Sequence, residues 1–188
     1  MSSPLKRGAT YDDLLKVEPH LVAEIVDGDL HASPRAAPLQ TRARSRLGGQ
    51  LTGPFDRGWG GPGGWWIIDE PELHLGPDIL VPDLAAWRRV RMPGYPAEPA
   101  FTEAPDWVCE VTFPSAEQLD PTKKMPAYAR EKVSHLWLVD PVARTLETYR
   151  LDEGRWTLSG TFTGNAPVRA QPFDALELAL AALWADGE

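Results

Sequence analysis

Trp107-Val108-Cys109-Glu110-Val111 is the run that decides the fold class of this chain. Four apolar residues surround one carboxylate, and the run is rich in β-branched and aromatic side chains and too short for an average helix, so it reads as a strand buried on both faces. The strand is expected to span Asp106 to Thr112, with only its acidic end open to solvent. An ionised Glu110 in that setting demands a cation or strong hydrogen bonds. Two partners answer the demand: an arginine in a structural ion pair, or a metal ion.

Outward from this strand lie two further charged positions that fit the second answer. Upstream, Pro82-Asp83 interrupts the apolar run Ile79 to Ala86, placing an acid where a sheet residue is expected. A turn acid at a strand edge is the plainer reading of Asp83. Downstream, Asp120-Pro121 opens a helix expected to reach Lys132, with Asp120 as N-cap, Pro121 at the first helical position and Pro126 kinking the first turns. Helical spacing stacks Asp120, Lys124 and Tyr128 on one face, where Lys124 either pairs with Asp120 in solvent or reaches the acids. Two carboxylates can hold a hard divalent cation through oxygen, and a nearby ammonium can neutralise charge on an attacking water or a phosphoryl oxygen. The trio Asp83, Glu110 and Lys124 therefore points to metal-dependent phosphodiester chemistry.

The remaining elements frame this centre. Thr10 caps a short helix with Asp13 as reciprocal partner. Val22 to Val26 and Asp29 to Ala32 form a hairpin across Asp27-Gly28, and Glu24 at the middle of its first strand faces either solvent or the site. A helix is expected from about Leu39 to Leu51, with Leu39, Ala43, Leu47 and Leu51 as its apolar stripe. Gly53 to Gly64 reads as an exposed, mobile loop. Strands follow at Trp65 to Asp69, Leu73 to Leu75 and Ile79 to Ala86, and Arg91 to Pro105 is a long loop. After the strand His135 to Val139 come a hairpin, Thr145 to Leu151 with Trp156 to Phe162, and a C-terminal helix from Asp174 to Trp184. The order gives a mixed α/β domain with acids at strand ends, where open sheets place ligands. One domain is expected over residues 1–188, with its core over 10–150 and the hairpin and helix over 151–188.

Composition narrows the class. At 188 residues, 43% hydrophobic and with eight tryptophans, the chain can bury a sizeable core. The lone Cys109 excludes an internal disulfide and reads as a small core residue. No apolar signal region opens the chain and no run approaches membrane-spanning length, so a cytoplasmic protein is expected. A net charge of −8 argues against diffuse attraction to a polyanion, leaving local basic candidates. These are Arg42 and Arg46, one turn apart on the second helix, and Arg88, Arg89 and Arg91 beyond the Asp83 strand; a solvated surface is the plainer reading of each. Gln40, His74 and His135 read as ordinary hydrogen-bonding residues. An exposed hairpin rich in Trp and Tyr suits a homodimer.

Five ordered pieces carry a resemblance: Ala23 to Leu30, Val81 to Leu84, Cys109 to Val111, Asp120 to Tyr128, and Leu136 to Pro141. In order and spacing they resemble the Uma-type putative restriction endonucleases of the PD-(D/E)XK nuclease superfamily, over roughly Tyr11 to Tyr149. The resemblance implies a restriction-endonuclease-like core, a mixed sheet flanked by helices, and a divalent metal, usually magnesium, with manganese as an alternative. It matches Asp83 and Glu110 to the metal-binding acids, joined by a backbone carbonyl near Val111. Glu24 matches the acid from the first strand, completing a second metal position or holding a water. The lysine usually two residues after the second acid is replaced by Thr112, and Lys124 matches a displaced lysine from the following helix. Phe113, Gln40 and Lys132 stand where the family usually shows Ser, often His, and Gly. Gln40, Asp120 and Tyr128 are the supporting candidates. The implied activity is a Mg-dependent endonuclease acting on DNA; a catalytically silent, dimeric binding module that keeps the fold is the second reading.

Overall fold

A computed structural model describes residues 4–112, 119 and 121–184. Asp120 and Phe113, and with them the expected Asp120 cap, lie outside the described residues. In chain order the strands are β1 (Lys6–Arg7), β2 (Leu21–Val26), β3 (Asp29–Pro34), β4 (Trp65–Asp69), β5 (Leu73–Leu75), β6 (Asp78–Leu80), β7 (Leu84–Arg88), β8 (Trp107–Val111), β9 (His135–Asp140), β10 (Thr145–Asp152), β11 (Arg155–Thr163), β12 (Pro167–Val168) and β13 (Leu178–Ala179). The helices are α1 (Tyr11–Leu14), α2 (Pro38–Leu51) and α3 (Met125–Arg130).

The architecture is α+β around a mixed six-stranded sheet, ordered β11-β10-β9-β8-β7-β4. Only β8 and β9 in it are parallel, joined by the crossover that contains α3. One face packs on α2, where Ala43, Leu47 and Leu51 meet Trp107, Cys109 and Trp137; the other packs on α3 and on a second sheet, where Ala127 and Tyr128 meet Val108 and Leu136. That second sheet is ordered β1-β3-β2-β6-β5. β8 is thus covered on both sides, and Glu110 at its end is buried with it, at 4% exposure. The expected solvent-facing acidic end does not exist, because α3 covers that end of the strand.

Local chemistry explains most elements. Asp27 (φ 51°) and Gly28 (φ 79°) both take the left-handed conformation that a tight hairpin between β2 and β3 requires. At α1, the Asp13 carboxylate accepts the Thr10 backbone N–H at 3.0 Å, closing the capping box. α2 starts with Pro38 in its first turn, and the buried stripe begins at Gln40 rather than Leu39, which is only half-buried.

Four expectations fail for physical reasons. The Ile79–Ala86 strand is two strands in different sheets, because Pro82 has no N–H for a ladder and the Val81 N–H is taken by the Glu24 carboxylate at 2.8 Å. The stretch after α2 is not all open loop: residues Thr52–Asp56 continue as a π-helical turn that buries Phe55 against Phe173. The helix of residues 120–132 is a 3₁₀ turn, Pro121–Lys123, followed by α3, so Pro126 lies in the first turn of α3 and kinks nothing. No C-terminal helix forms from Asp174. β13 pairs with β12, the Ala179 N–H and C=O bond the Gln50 side chain at 2.8 and 3.3 Å, and Leu180–Leu183 is a 3₁₀ turn. Alternation of buried Leu178 and Leu180 about exposed Ala179 favours an extended segment there. No helix among the described residues is long and apolar enough to cross a membrane.

Candidate active site

Side chains from three separate pieces of chain meet where β2, β8 and the start of α3 come together. The Lys124 ammonium, 3% exposed, lies 2.7 Å from Glu24 Oε1 and 2.8 Å from Glu110 Oε1, and donates to the Val81 carbonyl at 3.2 Å. Tyr128, one turn on, donates its hydroxyl to Glu110 Oε1 at 2.6 Å. Each strand contributes for a local reason: Glu24 occupies the inward position of β2, and the break at Pro82 frees both the Val81 N–H and C=O to bond into the cluster.

Asp83 adjoins this group from the next bend. Its Oδ2 accepts the Val111 N–H at 2.7 Å, tying the start of β7 to the end of β8. The Val111 carbonyl in turn accepts the Gln40 side-chain amide at 2.8 Å, and Gln40 Oε1 accepts the Ala37 N–H at 2.9 Å. Gln40 thereby fixes the orientation of the peptide that the sequence nominated as a carbonyl ligand.

The electrostatics show an excess of negative charge. Burial pushes the Asp83 carboxyl up to about 6, against the opposing pull of the Val111 N–H, Lys124 and Arg44. Burial pushes Glu110 up to about 7; Lys124 opposes this, and Glu24 and Asp83 add to it. For Lys124 burial acts downward, but Glu110 and Glu24 outweigh it and hold the ammonium charged. The Tyr128 hydroxyl is raised well above its ordinary value by burial and by Glu110 and Glu24.

Arg44 is a site residue that the sequence reading missed. From α2 its guanidinium reaches Glu70, Asp69 at 3.1 Å and Asp83 Oδ1 at 3.5 Å. Asp69 and Glu70 come from the end of β4, with Glu70 at φ 45° in the bend that follows, and the Glu70 N–H donates to the Asp83 carbonyl at 3.1 Å. All three partners are distant in sequence. The only local hint was that Arg44 follows Gln40 by one helical turn.

The other basic candidates stand elsewhere. Arg42 donates to the Trp184 carbonyl at 3.3 Å. Arg89 bonds Asp56 at 2.8 Å and lies 3.8 Å over Trp66, and Arg91 pairs with Asp106 at 2.9 Å. Arg46 and Arg88 are exposed, the latter 4.5 Å over Trp65. His74 bonds Glu72 at 2.7 Å, and His135 sits beside Trp107 on β9, with its Nδ1 buried and unpartnered among the described residues.

A hard cation fits the donor atoms left over. Every described contact of Glu24 and Glu110 falls on Oε1, so the second oxygen of each carboxylate has no partner among the described residues. Asp83 Oδ1 has only the long contact with Arg44. Among the described residues no three His, Cys, Asp or Glu side chains gather closely enough to hold an ion by themselves. A cation held by Asp83, Glu110 and the Val111 carbonyl would meet oxygen donors alone, and it would offset the burial that raises both carboxyls.

Comparison with known proteins gives the family and the fold. The family described as Uma2, putative restriction endonuclease, matches residues 9–181. No curated protein matches the chain. Among solved structures, a putative nuclease belonging to DUF820 from Anabaena variabilis ATCC 29413 superposes with a TM-score of 0.75 at 22% identity. The match covers 96% of this chain and 99% of that one, and at this identity it speaks for the fold.

Proposed function

We infer that this chain, which belongs to the Uma2 family of putative restriction endonucleases, is a magnesium-dependent endonuclease acting on DNA. The observation that carries the reading is the convergence of Glu24, Glu110 and Lys124 within 2.8 Å contacts, with Asp83 tied to the adjoining peptide. Asp83, Glu110 and the Val111 carbonyl would hold the cation. When bound, magnesium or manganese supplies Lewis acidity toward a phosphoryl oxygen.

The chain's own residues do the rest. The Lys124 ammonium, held charged by two glutamates, stabilises negative charge as it grows on the phosphoryl group. Tyr128 and the Val81 carbonyl fix where that ammonium sits, through Glu110 and directly. Glu24, with one oxygen uncommitted, accepts a proton or a hydrogen bond from the attacking water. Gln40 keeps the Val111 carbonyl aimed.

The test uses Asp83→Asn and Glu110→Gln beside wild type, purified identically. Each change removes an anionic ligand and nearly keeps shape, so calorimetry should show magnesium affinity falling by about tenfold or more while circular dichroism shows a folded chain. Cleavage of plasmid and linear duplex should disappear with it. Unchanged affinity in both variants would place these acids in a structural ion-pair network. Metal binding without cleavage by wild type would favour the silent module, for which the locked Glu24–Lys124–Glu110 bridge is the supporting observation.

A further inference from the structure

A groove of about 370 Å³ runs along the α2 face of the sheet from Arg44, whose guanidinium reaches Asp83 at 3.5 Å. Its floor is Ile67 and Leu84, the latter next in sequence to Asp83, and its wall is the α2 face of Ser45, Gly48, Gly49 and Thr52. Arg44 stands at the site end, where it also reaches Asp83. At the far end the chain turns, and the Trp59 N–H donates to the Gly53 carbonyl at 2.8 Å, which places Trp59 just beyond Thr52. Thr41 and Thr52 both line the groove, and eleven helical steps between them make it about 16 Å long.

The far end has the chemistry of a base-stacking platform. Trp59 is 67% exposed, an unusual state for the largest apolar side chain, and Arg57 lies 4.7 Å over its ring. Arg88, exposed at the end of β7, lies over Trp65 at 4.5 Å. Neither Arg57 nor Arg88 pairs with a carboxylate among the described residues, whereas Arg89 and Arg91 between them do. β7 carries the chain from Asp83 to Arg88 in about 17 Å, matching the groove in length. In a chain of net charge −8, Arg57 on the exposed Trp59 and Arg88 on the buried Trp65 are two arginines with no acid partner among the described residues, the chemistry that a local polyanion contact needs.

We propose that a single nucleic-acid strand leaves the catalytic cluster along the α2 groove and stacks a base on Trp59, with Arg57 and Arg88 contacting its phosphates. This rests on the nuclease reading and specifies its substrate: nucleic acid with a single-stranded portion next to the cleaved bond. The Ser45 hydroxyl offers a hydrogen bond to the backbone, whereas that of Thr52 is spent on the Gly48 carbonyl at 2.7 Å, and Gly48 and Gly49 leave room for the strand. Stacking on an aromatic ring tolerates any base, so the track adds affinity without sequence preference.

The experiment measures fluorescence anisotropy of labelled single-stranded DNA, RNA of the same sequence and a blunt duplex, with calcium replacing magnesium to hold back cleavage. Trp59→Ala is expected to lower single-strand affinity about tenfold and to leave duplex affinity within about twofold. Gly49→Leu fills the groove; a Cβ at Gly49 meets nothing within 4 Å, and leucine favours the helix, so the variant should keep its melting temperature while losing single-strand binding. Single-strand affinity within about twofold of wild type in both variants overturns the track, as does wild type that binds only duplex. A separate plasmid-cleavage arm, wild type against Glu110→Gln, reports on the nuclease reading alone. Cleavage with unaltered variant binding defeats the track and keeps the nuclease, and no binding or cleavage by wild type defeats both.

Discussion

Lys124→Met is the perturbation with the largest expected effect. The ammonium is the shared counter-ion of two glutamates at 2.7 and 2.8 Å, and Glu24, Glu110 and Lys124 are all at most 5% exposed. Methionine keeps the length of the side chain and removes the charge, leaving two carboxylates buried against each other. Breaking a buried pair from one side costs about 3–5 kcal/mol. In a chain of this size each kcal/mol lowers Tm by about 2–4 °C, so the metal-free variant should melt about 6–20 °C below wild type. Magnesium should recover more of this loss in the variant than it adds to wild type, because a cation then compensates acids that have lost their ammonium. Glu24→Gln combined with Lys124→Met should recover part of the loss without metal. The assay is thermal denaturation followed by circular dichroism, with and without magnesium, alongside plasmid cleavage, which the variant should not perform. A metal-free Tm within about 2 °C of wild type would show that Lys124 is not the buried counter-ion, and the account of the cluster would fall with it.

Two further outcomes follow from the same geometry. Burial pushes the Asp83 and Glu110 carboxyls up to about 6 and about 7, so the fold favours their protonated forms. The stability they contribute is complete below their unfolded pKa values and is lost as pH rises through about 6 and 7. Metal-free protein should therefore melt lower at about pH 8 than at about pH 5, and Glu110→Gln should flatten that slope. A slope unchanged by the substitution contradicts the assignment. Gln40→Leu removes the donor that aims the Val111 carbonyl, and calorimetry should show magnesium affinity reduced about tenfold. Equal affinity would mean that the carbonyl is no ligand.

The sequence by itself determined the parts whose causes are local. The β2–β3 turn follows from Asp27-Gly28, the α1 cap from Thr10 and Asp13, and the burial of β8 from a run of apolar residues with no polar alternation. Asp83, Glu110 and Lys124 could also be singled out from the sequence, since each sits at or beside the end of a recognisable element. Tertiary structure alone decided what those groups touch. Whether Glu24 faced solvent or the site was undetermined by alternation, and became a 2.7 Å contact with Lys124 only because the second sheet packs on the α3 face. Arg44 found its carboxylates across three chain segments, and Gln40 found Val111 across 71 residues, so no spacing announced either. The C-terminal segment was misread because its apolar residues answer to a core assembled from distant strands and to the Gln50 amide, which takes the backbone bonds that a helix would have used. Propensity acts over one turn of chain, whereas a buried charge is settled by whatever partner the packed layers bring within about 3 Å of it.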